Sequence, residues 1–315
     1  MPPEIMIVIT ANAHPVLQQT FQERGYPVLY APAITYLELE AIAQEITGLV
    51  VTTRIKIDKF FLEKAINLKW IGRLGSGMEL IDTAYASLKK IICISTPEGN
   101  RNAVGEQALG MLLGLMHKIC KSTLEVKKSI WLREENRGTE LAGKKVGIIG
   151  FGNTGQAFAK LLAPFNVVVL ANDINKKNFG NNYIEEATLQ GICSQADVIS
   201  FHVPLTEQTA YMANVDFFDS LAKKPFIINT SRGAVINTAD LIEALKKQQV
   251  GGVALDVLEN ENIANLDEKM SAEFHFLNSH PDVILTPHIA GYTNEAFYKM
   301  SKVLLEKLGL VVPGA

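Results

Sequence analysis

The chain has 315 residues, 48% of them hydrophobic and 20% charged, with a formal net charge of −3 at pH 7. This length exceeds what one hydrophobic core usually serves, so two domains are predicted. The charge balance argues against nucleic-acid binding, which requires a basic footprint. Three widely spaced cysteines fit neither a disulfide framework nor a zinc site, and no apolar run reaches the roughly 20 residues that span a bilayer. We therefore expect a cytoplasmic globular protein without a bound metal and without a membrane or nucleic-acid partner.

Short apolar runs alternate with helical patterns along the first third of the chain. The predicted strands are Ile5–Ile9, Val28–Tyr30, Gly48–Thr52, Lys69–Gly72 and Ile91–Ile94. Stretches with a helical pattern, such as Pro15–Arg24 and Lys59–Ala65, lie between them. This alternation is typical of a parallel sheet with helices on both faces.

A long segment, Asn100–Lys128, spaces its apolar residues close to the helical period, and we interpret it as the crossover into a second domain. Ile263–Pro281 interrupts the second alternation, and Thr293–Leu308 is predicted as a final helix that packs on the first domain. The predicted strands of the second domain are Val146–Ile149, Val167–Leu170, Val198–Phe201, Phe226–Ile228, Gly252–Leu255 and Val283–Leu285. The predicted fold is α/β with two doubly wound parallel-sheet domains, one of residues 1–99 and 292–315 and one of residues 100–291.

A glycine-rich turn opens the second domain directly after its first predicted strand. Gly150 permits a tight turn, Gly152 lets the backbone approach a pyrophosphate, and Gly155 lets helix and strand pack closely. Asp173 closes the next strand, 18 residues after Gly155 (173 − 155), near the spacing of a ribose-binding acid. The alternative is that Asp173 only caps a turn before Asn175. A ribose-binding acid repels a 2′-phosphate, so this pattern favours NAD over NADP.

Six motifs occur in a specific order along nearly the whole chain. They are Arg73–Gly77, Gly138–Leu141, Gly150–Gly155 with Asp173, Asn229–Gly233, Ala254–Glu261 and Thr286–Gly291. Together they resemble the D-2-hydroxyacid dehydrogenases, most of all the D-3-phosphoglycerate dehydrogenase branch. The resemblance implies a Rossmann-type NAD domain, a flavodoxin-like substrate domain, a homodimer, and hydride transfer between nicotinamide and a small D-2-hydroxy acid or 2-oxo acid.

Three residues of the second half suit this chemistry, and the resemblance assigns them catalytic roles. Arg232 can hold a carboxylate and polarise a carbonyl through its forked, charged guanidinium. His288 can give and take the proton, and Glu261 can orient and stabilise the protonated ring. From the residues alone, Arg232 can also be a surface arginine before Gly233. The proton-transfer residue can also be one of three other histidines, His202, His275 and His280.

The resemblance also implies further binding residues. Beyond the glycines and Asp173, the predicted cofactor contacts are Asn153, Thr154, Val203, Pro204, Thr230 and Asp256, the last of these at the nicotinamide carboxamide. Ser76 and Gly77 are expected to offer backbone amides to the substrate carboxylate. Arg54, Arg73 and Arg133 are the predicted cations for a substrate phosphate, and their alternative is a set of ordinary solvated arginines.

The chain departs from the family at the glutamate. Glu261 and His288 lie 27 positions apart (288 − 261), longer than the family's usual interval, and Asn262 replaces a common proline. Glu259 is therefore an alternative partner for His288.

The expected substrate is 3-phosphoglycerate or 3-phosphohydroxypyruvate, of serine biosynthesis. The alternatives are a glyoxylate/hydroxypyruvate reductase, a D-lactate-type dehydrogenase and an NAD-sensing corepressor-like binding protein. The chain ends soon after the last predicted helix, so we expect a short form without a regulatory domain.

Overall fold

The structure is a computed structural model that describes residues 5–310. It divides the chain into two compact units, of which one runs to Arg101 and resumes at Tyr292, and the other comprises Asn102–Gly291. No helix within the described range is long and apolar enough to cross a membrane.

The described strands and helices alternate along most of the chain. The strands are β1 (Met6–Ile9), β2 (Val28–Tyr30), β3 (Ile46–Val51), β4 (Trp70–Arg73), β5 (Ile92–Ser95), β6 (Lys145–Ile149), β7 (Val168–Asn172), β8 (Ile184–Glu186), β9 (Val198–Phe201), β10 (Phe226–Asn229), β11 (Gly252–Leu255) and β12 (Val283–Leu285). The helices are α1 (Pro15–Glu23), α2 (Tyr36–Ala41), α3 (Lys59–Lys64), α4 (Thr83–Leu88), α5 (Pro97–Met116), α6 (Ile119–Lys127), α7 (Asn153–Leu162), α8 (Leu189–Gln195), α9 (Val215–Asp219), α10 (Thr238–Lys246), α11 (Glu268–Ser279) and α12 (Asn294–Lys307).

The first unit is built on a five-stranded parallel sheet in the order β2-β1-β3-β4-β5. This is the flavodoxin-like order. Successive residues of β1 point to opposite faces, so Val8 joins one buried cluster with Leu49, while Ile7 and Ile9 join another with Leu304 of α12. Both faces of the sheet are therefore covered by helices, as the predicted fold class requires.

The second unit is built on a seven-stranded parallel sheet in the order β12-β11-β10-β9-β6-β7-β8. The order reverses at β6, which is the Rossmann arrangement with one additional strand. Its central strands are buried at every position, as in β9 and β11, because a parallel sheet between two helical layers has no solvent face. The predicted α/β class with two parallel-sheet domains is confirmed.

Three elements differ from the sequence prediction. The strand β8 was not predicted, because it is a three-residue edge strand with only Ile184 buried. The predicted helix Asn100–Lys128 is two helices, since Lys118 adopts a left-handed conformation with φ of 53° between α5 and α6. The excursion after Ile263 contains α11, which begins where the Asp267 side chain accepts a hydrogen bond from the Met270 amide at 2.8 Å.

Candidate active site

The predicted cofactor and catalytic residues of the second unit lie along one edge of its sheet. All strands are parallel, so their carboxyl ends share that edge, where ligands bind open α/β sheets. The register aligns the last residues of five adjacent strands, so the five residues that directly follow these strands form a row. In sheet order these are Gly150, His202, Thr230, Asp256 and Thr286.

The glycine turn after β6 has the form of a phosphate cradle. Gly150 has a φ of +93°, and a Cβ on Gly155 would lie 2.1 Å from the Gly150 carbonyl oxygen, so the protein itself requires both glycines. A Cβ on Gly152 would meet nothing within 4 Å. Among residues 5–310, the amides of Gly152, Asn153 and Thr154 at the start of α7 donate to no protein acceptor. Open space beside unpaired amides at a helix N-terminus fits a pyrophosphate.

Asp173 is tied to the glycine turn and also caps the turn that follows it. Its Oδ2 accepts a hydrogen bond from the Phe151 amide at 2.9 Å. Its Oδ1 accepts from the amides of Asn175 and Lys176 at 2.9 and 3.1 Å. The capping contact anticipated as an alternative is therefore present, and the bond to Phe151 holds the carboxylate beside the cofactor loop. The structure thus shows Asp173 in a structural role, while its contact with a ribose remains a prediction.

The structure joins His288 to Glu261. The distance from His288 Nδ1 to Glu261 Oε2 is 2.9 Å, and 42% and 46% of the two side chains are exposed. Glu259 instead accepts a hydrogen bond from the Thr238 amide at the start of α10, at 2.6 Å. His288 has a φ of 55°, which is uncommon for a non-glycine residue, so its turn must be held by other contacts.

Asp256 supplies those contacts from inside the protein. It is 1% exposed, and its carbonyl accepts from the His288 amide at 2.8 Å. Its carboxylate also accepts three hydrogen bonds from the same turn, donated by the Thr286 hydroxyl at 2.5 Å, the Ile289 amide at 2.9 Å and the Ala290 amide at 2.8 Å. The structure therefore shows Asp256 holding the turn that carries His288, while a contact with nicotinamide remains a prediction.

Arg232 lies on the turn after β10, on the same sheet edge. Its side chain is half-buried, and its Nη1 donates to the Ser231 carbonyl at 2.6 Å. A Cβ on the following Gly233 would lie 1.9 Å from the Leu258 carbonyl oxygen, so this glycine is required by a close backbone approach. The turn of Arg232 is therefore packed against the loop after β11 and is not a free surface turn.

Buried polar groups occur in the row between Gly150 and Asp256. Among the described residues, the Thr230 hydroxyl and Nδ1 of His202 are buried without a hydrogen-bond partner. The other ring nitrogen of His202 lies 2.8 Å from the Ser200 hydroxyl. Burial lowers the pKa of His202 to about 3, so this histidine is neutral and does not serve as a proton donor. Val203 and Pro204 follow it in the loop, and Val203 packs beside Gly150.

We expect His202 to make the protein sensitive to acid. Folding lowers its pKa from 6.5 to about 3, so stability that depends on the neutral ring is complete above pH 6.5 and is lost as the pH falls toward 3. The urea midpoint of the wild type should fall more between pH 7.5 and pH 5 than that of His202→Gln. His275→Gln, an exposed control, should keep the wild-type pH dependence. Equal pH dependence in His202→Gln and wild type would contradict this account.

The predicted substrate residues of the first unit lie at the carboxyl edge of its own sheet. Arg54 follows β3 and donates to the Thr10 carbonyl at 2.7 Å, and Arg73 ends β4 and donates to the Leu74 carbonyl at 2.5 Å. In the described part of the chain, the amides of Ser76 and Gly77 make no hydrogen bond to protein. Arg133 is exposed in the segment after α6, in the second unit.

Sequence reasoning missed two residues that support the candidate site. The Asn229 side chain donates to the Arg232 carbonyl, and the Thr286 hydroxyl donates to the Asp256 carboxylate; both residues stand in motif segments that carried the family resemblance. Their buried contacts are visible only once adjacent strands are placed side by side.

Comparison with known proteins identifies the family and agrees with the fold. The family model described as D-isomer specific 2-hydroxyacid dehydrogenase, NAD binding domain, matches residues 109–290. A hydroxypyruvate reductase from Thermotoga maritima is 34% identical over 271 residues, 86% of each chain. A D-3-phosphoglycerate dehydrogenase from Methanocaldococcus jannaschii is 30% identical over 98% of this chain, which spans 58% of that protein. A D-lactate dehydrogenase from Aquifex aeolicus, solved with NAD and lactic acid, has a TM-score of 0.84 and 25% identity, covering 96% of this chain and 94% of that one.

The chain therefore belongs to the D-isomer specific 2-hydroxyacid dehydrogenase family. It is an NAD-dependent oxidoreductase, and its predicted cofactor, NAD, is confirmed.

Proposed function

We propose that this enzyme interconverts a small D-2-hydroxy acid and its 2-oxo acid, with Arg232, Glu261 and His288 as catalytic residues. The observation that carries the proposal is the 2.9 Å contact between His288 Nδ1 and Glu261 Oε2, on the sheet edge that also bears the glycine turn. This contact engages Nδ1 and leaves Nε2 of His288 for the substrate oxygen. When bound, NAD would accept the hydride in its oxidised form and donate it in its reduced form.

Each of the three catalytic side chains has a separate proposed role. The Arg232 guanidinium holds the substrate carboxylate and polarises the C2 carbonyl, since it is always charged and presents paired donors. His288 gives a proton to the C2 oxygen during reduction and takes it back during oxidation. Glu261 orients the imidazole and stabilises the positive charge of its protonated form. The unpaired amides of Gly152, Asn153 and Thr154 are proposed to bind the pyrophosphate.

For the substrate we propose 3-phosphoglycerate and 3-phosphohydroxypyruvate, which gives the enzyme a place in serine biosynthesis in the cytoplasm. Arg54 and Arg73 support this assignment because their strands, β3 and β4, are neighbours and end at the same edge. Two arginines at one edge are a suitable site for a phosphate dianion. The exposed Arg133 is proposed as a third cation, reaching the site of a second subunit.

A second candidate is the reduction of hydroxypyruvate or glyoxylate. The relative from Thermotoga maritima is named a hydroxypyruvate reductase, and one from Thermofilum pendens, 33% identical, is named a glyoxylate reductase. The hydrogen bonds of Arg54 and Arg73 to backbone carbonyls also favour this candidate, because one terminal nitrogen of each guanidinium is already engaged within the protein.

A substrate series decides between these candidates. NADH oxidation is measured with 3-phosphohydroxypyruvate, hydroxypyruvate, glyoxylate, pyruvate and 2-oxoglutarate. We expect the phosphorylated acid to have the highest kcat/KM, and Arg54→Ala to raise KM for it alone. Arg24→Ala, at the end of α1, is the matched control. Equal kcat/KM for hydroxypyruvate and its phosphate would favour the second candidate, and no turnover with any acid would favour a binding protein.

The cofactor proposal predicts a preference for NAD. If Asp173 binds the ribose hydroxyls, its charge repels the 2′-phosphate of NADP. The kcat/KM with NADH should then exceed that with NADPH at least about tenfold, roughly 1.4 kcal/mol. Asp173→Ser should lower the ratio of kcat/KM with NADH to kcat/KM with NADPH. Asp197→Ser, at the amino-terminal side of β9, should leave this ratio unchanged. Equal use of both cofactors by the wild type would overturn the role of Asp173.

We also propose that the enzyme is a homodimer. Apolar side chains remain exposed along α6 and the segment after it, with Trp131 exposed to 82%. The others are Ile119, Leu124, Val126, Ile130 and Leu132. Several large apolar side chains exposed in one short segment favour an interaction surface, and a second copy of the chain with two-fold symmetry can cover it.

Light scattering at micromolar concentration should give about twice the chain mass of 34.6 kDa. Trp131→Glu combined with Leu124→Glu should give the monomer mass, because two charges in an apolar contact oppose association. Leu37→Glu changes another exposed leucine, on α2, and should remain dimeric. A monomer mass for the wild type would refute the proposal.

A further inference from the structure

The turn that carries Arg232 is held by one buried side chain. Asn229, the last residue of β10, is 1% exposed. Its Oδ1 accepts hydrogen bonds from the Ser231 amide at 3.0 Å and the Ser231 hydroxyl at 2.7 Å. Its Nδ2 donates to the Arg232 carbonyl at 2.9 Å. One carboxamide therefore binds two successive residues of the turn, Ser231 and Arg232.

We infer that Asn229 is the positioning residue for the Arg232 guanidinium. At this position the side chain must accept two hydrogen bonds from Ser231 and donate one to the Arg232 carbonyl oxygen, 2.9 Å away. The asparagine carboxamide supplies both functions, whereas the isosteric aspartate supplies acceptors only. An ionised aspartate would also place a negative oxygen against the Arg232 carbonyl, and the turn must then rearrange.

The backbone of Asn229 belongs to a network that reaches His288. The Asn229 carbonyl accepts a hydrogen bond from the Asp256 amide at 2.9 Å, and the Asp256 carbonyl accepts from the His288 amide at 2.8 Å. The turns that carry Arg232 and His288 are therefore fixed by buried polar side chains at the ends of two adjacent strands, with Asn229 closing β10 and Asp256 directly following β11. This arrangement lets rigid sheet residues, and not the exposed loops, set the positions of both side chains.

The inference rests on the proposed role of Arg232 in holding and polarising the substrate. A displacement of about 1 Å in such a group can lower the rate by about 10²-fold. We therefore expect Asn229→Asp to lower kcat/KM for the 2-oxo acid by about 10- to 100-fold at saturating NADH, with KM raised. The affinity for NADH, measured by fluorescence titration, should change much less.

A double-mutant cycle tests whether Asn229 acts through Arg232. The variants are Asn229→Asp, Arg232→Ala and their combination, compared by kcat/KM and by thermal unfolding. If Asn229 acts by placing the guanidinium, its replacement should cost little further kcat/KM once Arg232 is alanine, so the two effects are not additive. Ser231→Ala is a milder second variant, which removes only the hydroxyl bond to Asn229 and should show the same coupling should Asn229→Asp fail to fold.

Asn172→Asp is the matched control. Asn172 also ends a buried strand, β7, and its Nδ2 donates to the Ala187 carbonyl at 2.8 Å. It should lose comparable stability while keeping the wild-type KM for the 2-oxo acid. The inference is overturned if Asn229→Asp lowers only the unfolding temperature, or if its effect on kcat/KM is equally large without Arg232. A fully active Arg232→Ala would instead refute the proposed function.

Discussion

Replacing His288 by alanine is expected to lower kcat by about 10²- to 10⁴-fold, the usual loss for a general acid-base residue. His288 is the histidine that the structure places on the sheet edge with a carboxylate partner and an open ring nitrogen. Because the role proposed for His288 is proton transfer and not cofactor binding, the affinity for NADH should be nearly unchanged. Steady-state kinetics in both directions, together with NADH fluorescence titration, measures the two quantities separately.

The two glutamates of the same loop provide the matched comparison. Glu261→Gln keeps the size of the side chain but removes the charge 2.9 Å from Nδ1 of His288, so kcat for reduction should fall clearly. Glu259→Gln should mainly affect stability, because Glu259 accepts from the Thr238 amide at the start of α10. A large loss of kcat in Glu259→Gln with none in Glu261→Gln would show that the partner of His288 has been misassigned.

Arg232→Ala is expected to lower kcat/KM by about 10²- to 10³-fold, the range seen when a preorganised donor to a developing oxyanion is removed. Both kcat and KM should change, since the proposed role of the guanidinium is to bind the carboxylate in the ground state and to polarise the carbonyl in the transition state. Added guanidinium ion should restore part of the activity of Arg232→Ala. The comparison is made at saturating NADH with the best substrate of the series.

Two further variants sharpen this prediction. Arg232→Lys keeps the charge but lacks the planar fork, so its activity should lie between those of wild type and alanine. Arg137→Ala removes an exposed arginine paired with Glu134 and should retain full activity. If Arg232→Ala and Arg137→Ala behave alike, Arg232 does not contact the substrate.

The location of the glycine turn and of the strands around it follows from local patterns. The turn residues Gly150 and Gly155 are required by a positive φ and by a close backbone contact, both of which depend on near neighbours in the chain. Buried strands such as β9 and β11 are continuous apolar runs, so they are recognisable without any knowledge of their partners. The alternation of such runs with helices was therefore sufficient to predict two parallel-sheet domains.

Other elements depend on contacts that no local window contains. The strand β8 has three residues and gains its order by pairing with β7. No proline or glycine stands at the break between α5 and α6 to indicate it in the sequence, because a lysine, Lys118, takes the left-handed conformation there. Likewise, His202 and His280 are chemically alike in the sequence, but one is buried in the sheet row while the other accepts from the Asp282 amide at 3.2 Å.

By itself, the sequence determined the class of fold, the glycine turn and the set of residues suited to the chemistry. Each of these can be recognised from local periodicity or from motifs a few residues long. Only the tertiary structure decided which glutamate meets His288, since Glu259 and Glu261 are two positions apart and their side chains take opposite paths, one to α10 and one to the histidine. It also decided that Asp256 and Asn229 hold the turns that carry His288 and Arg232. The physical reason is that a hydrogen bond between strands depends on register and burial, which arise only when distant segments pack together.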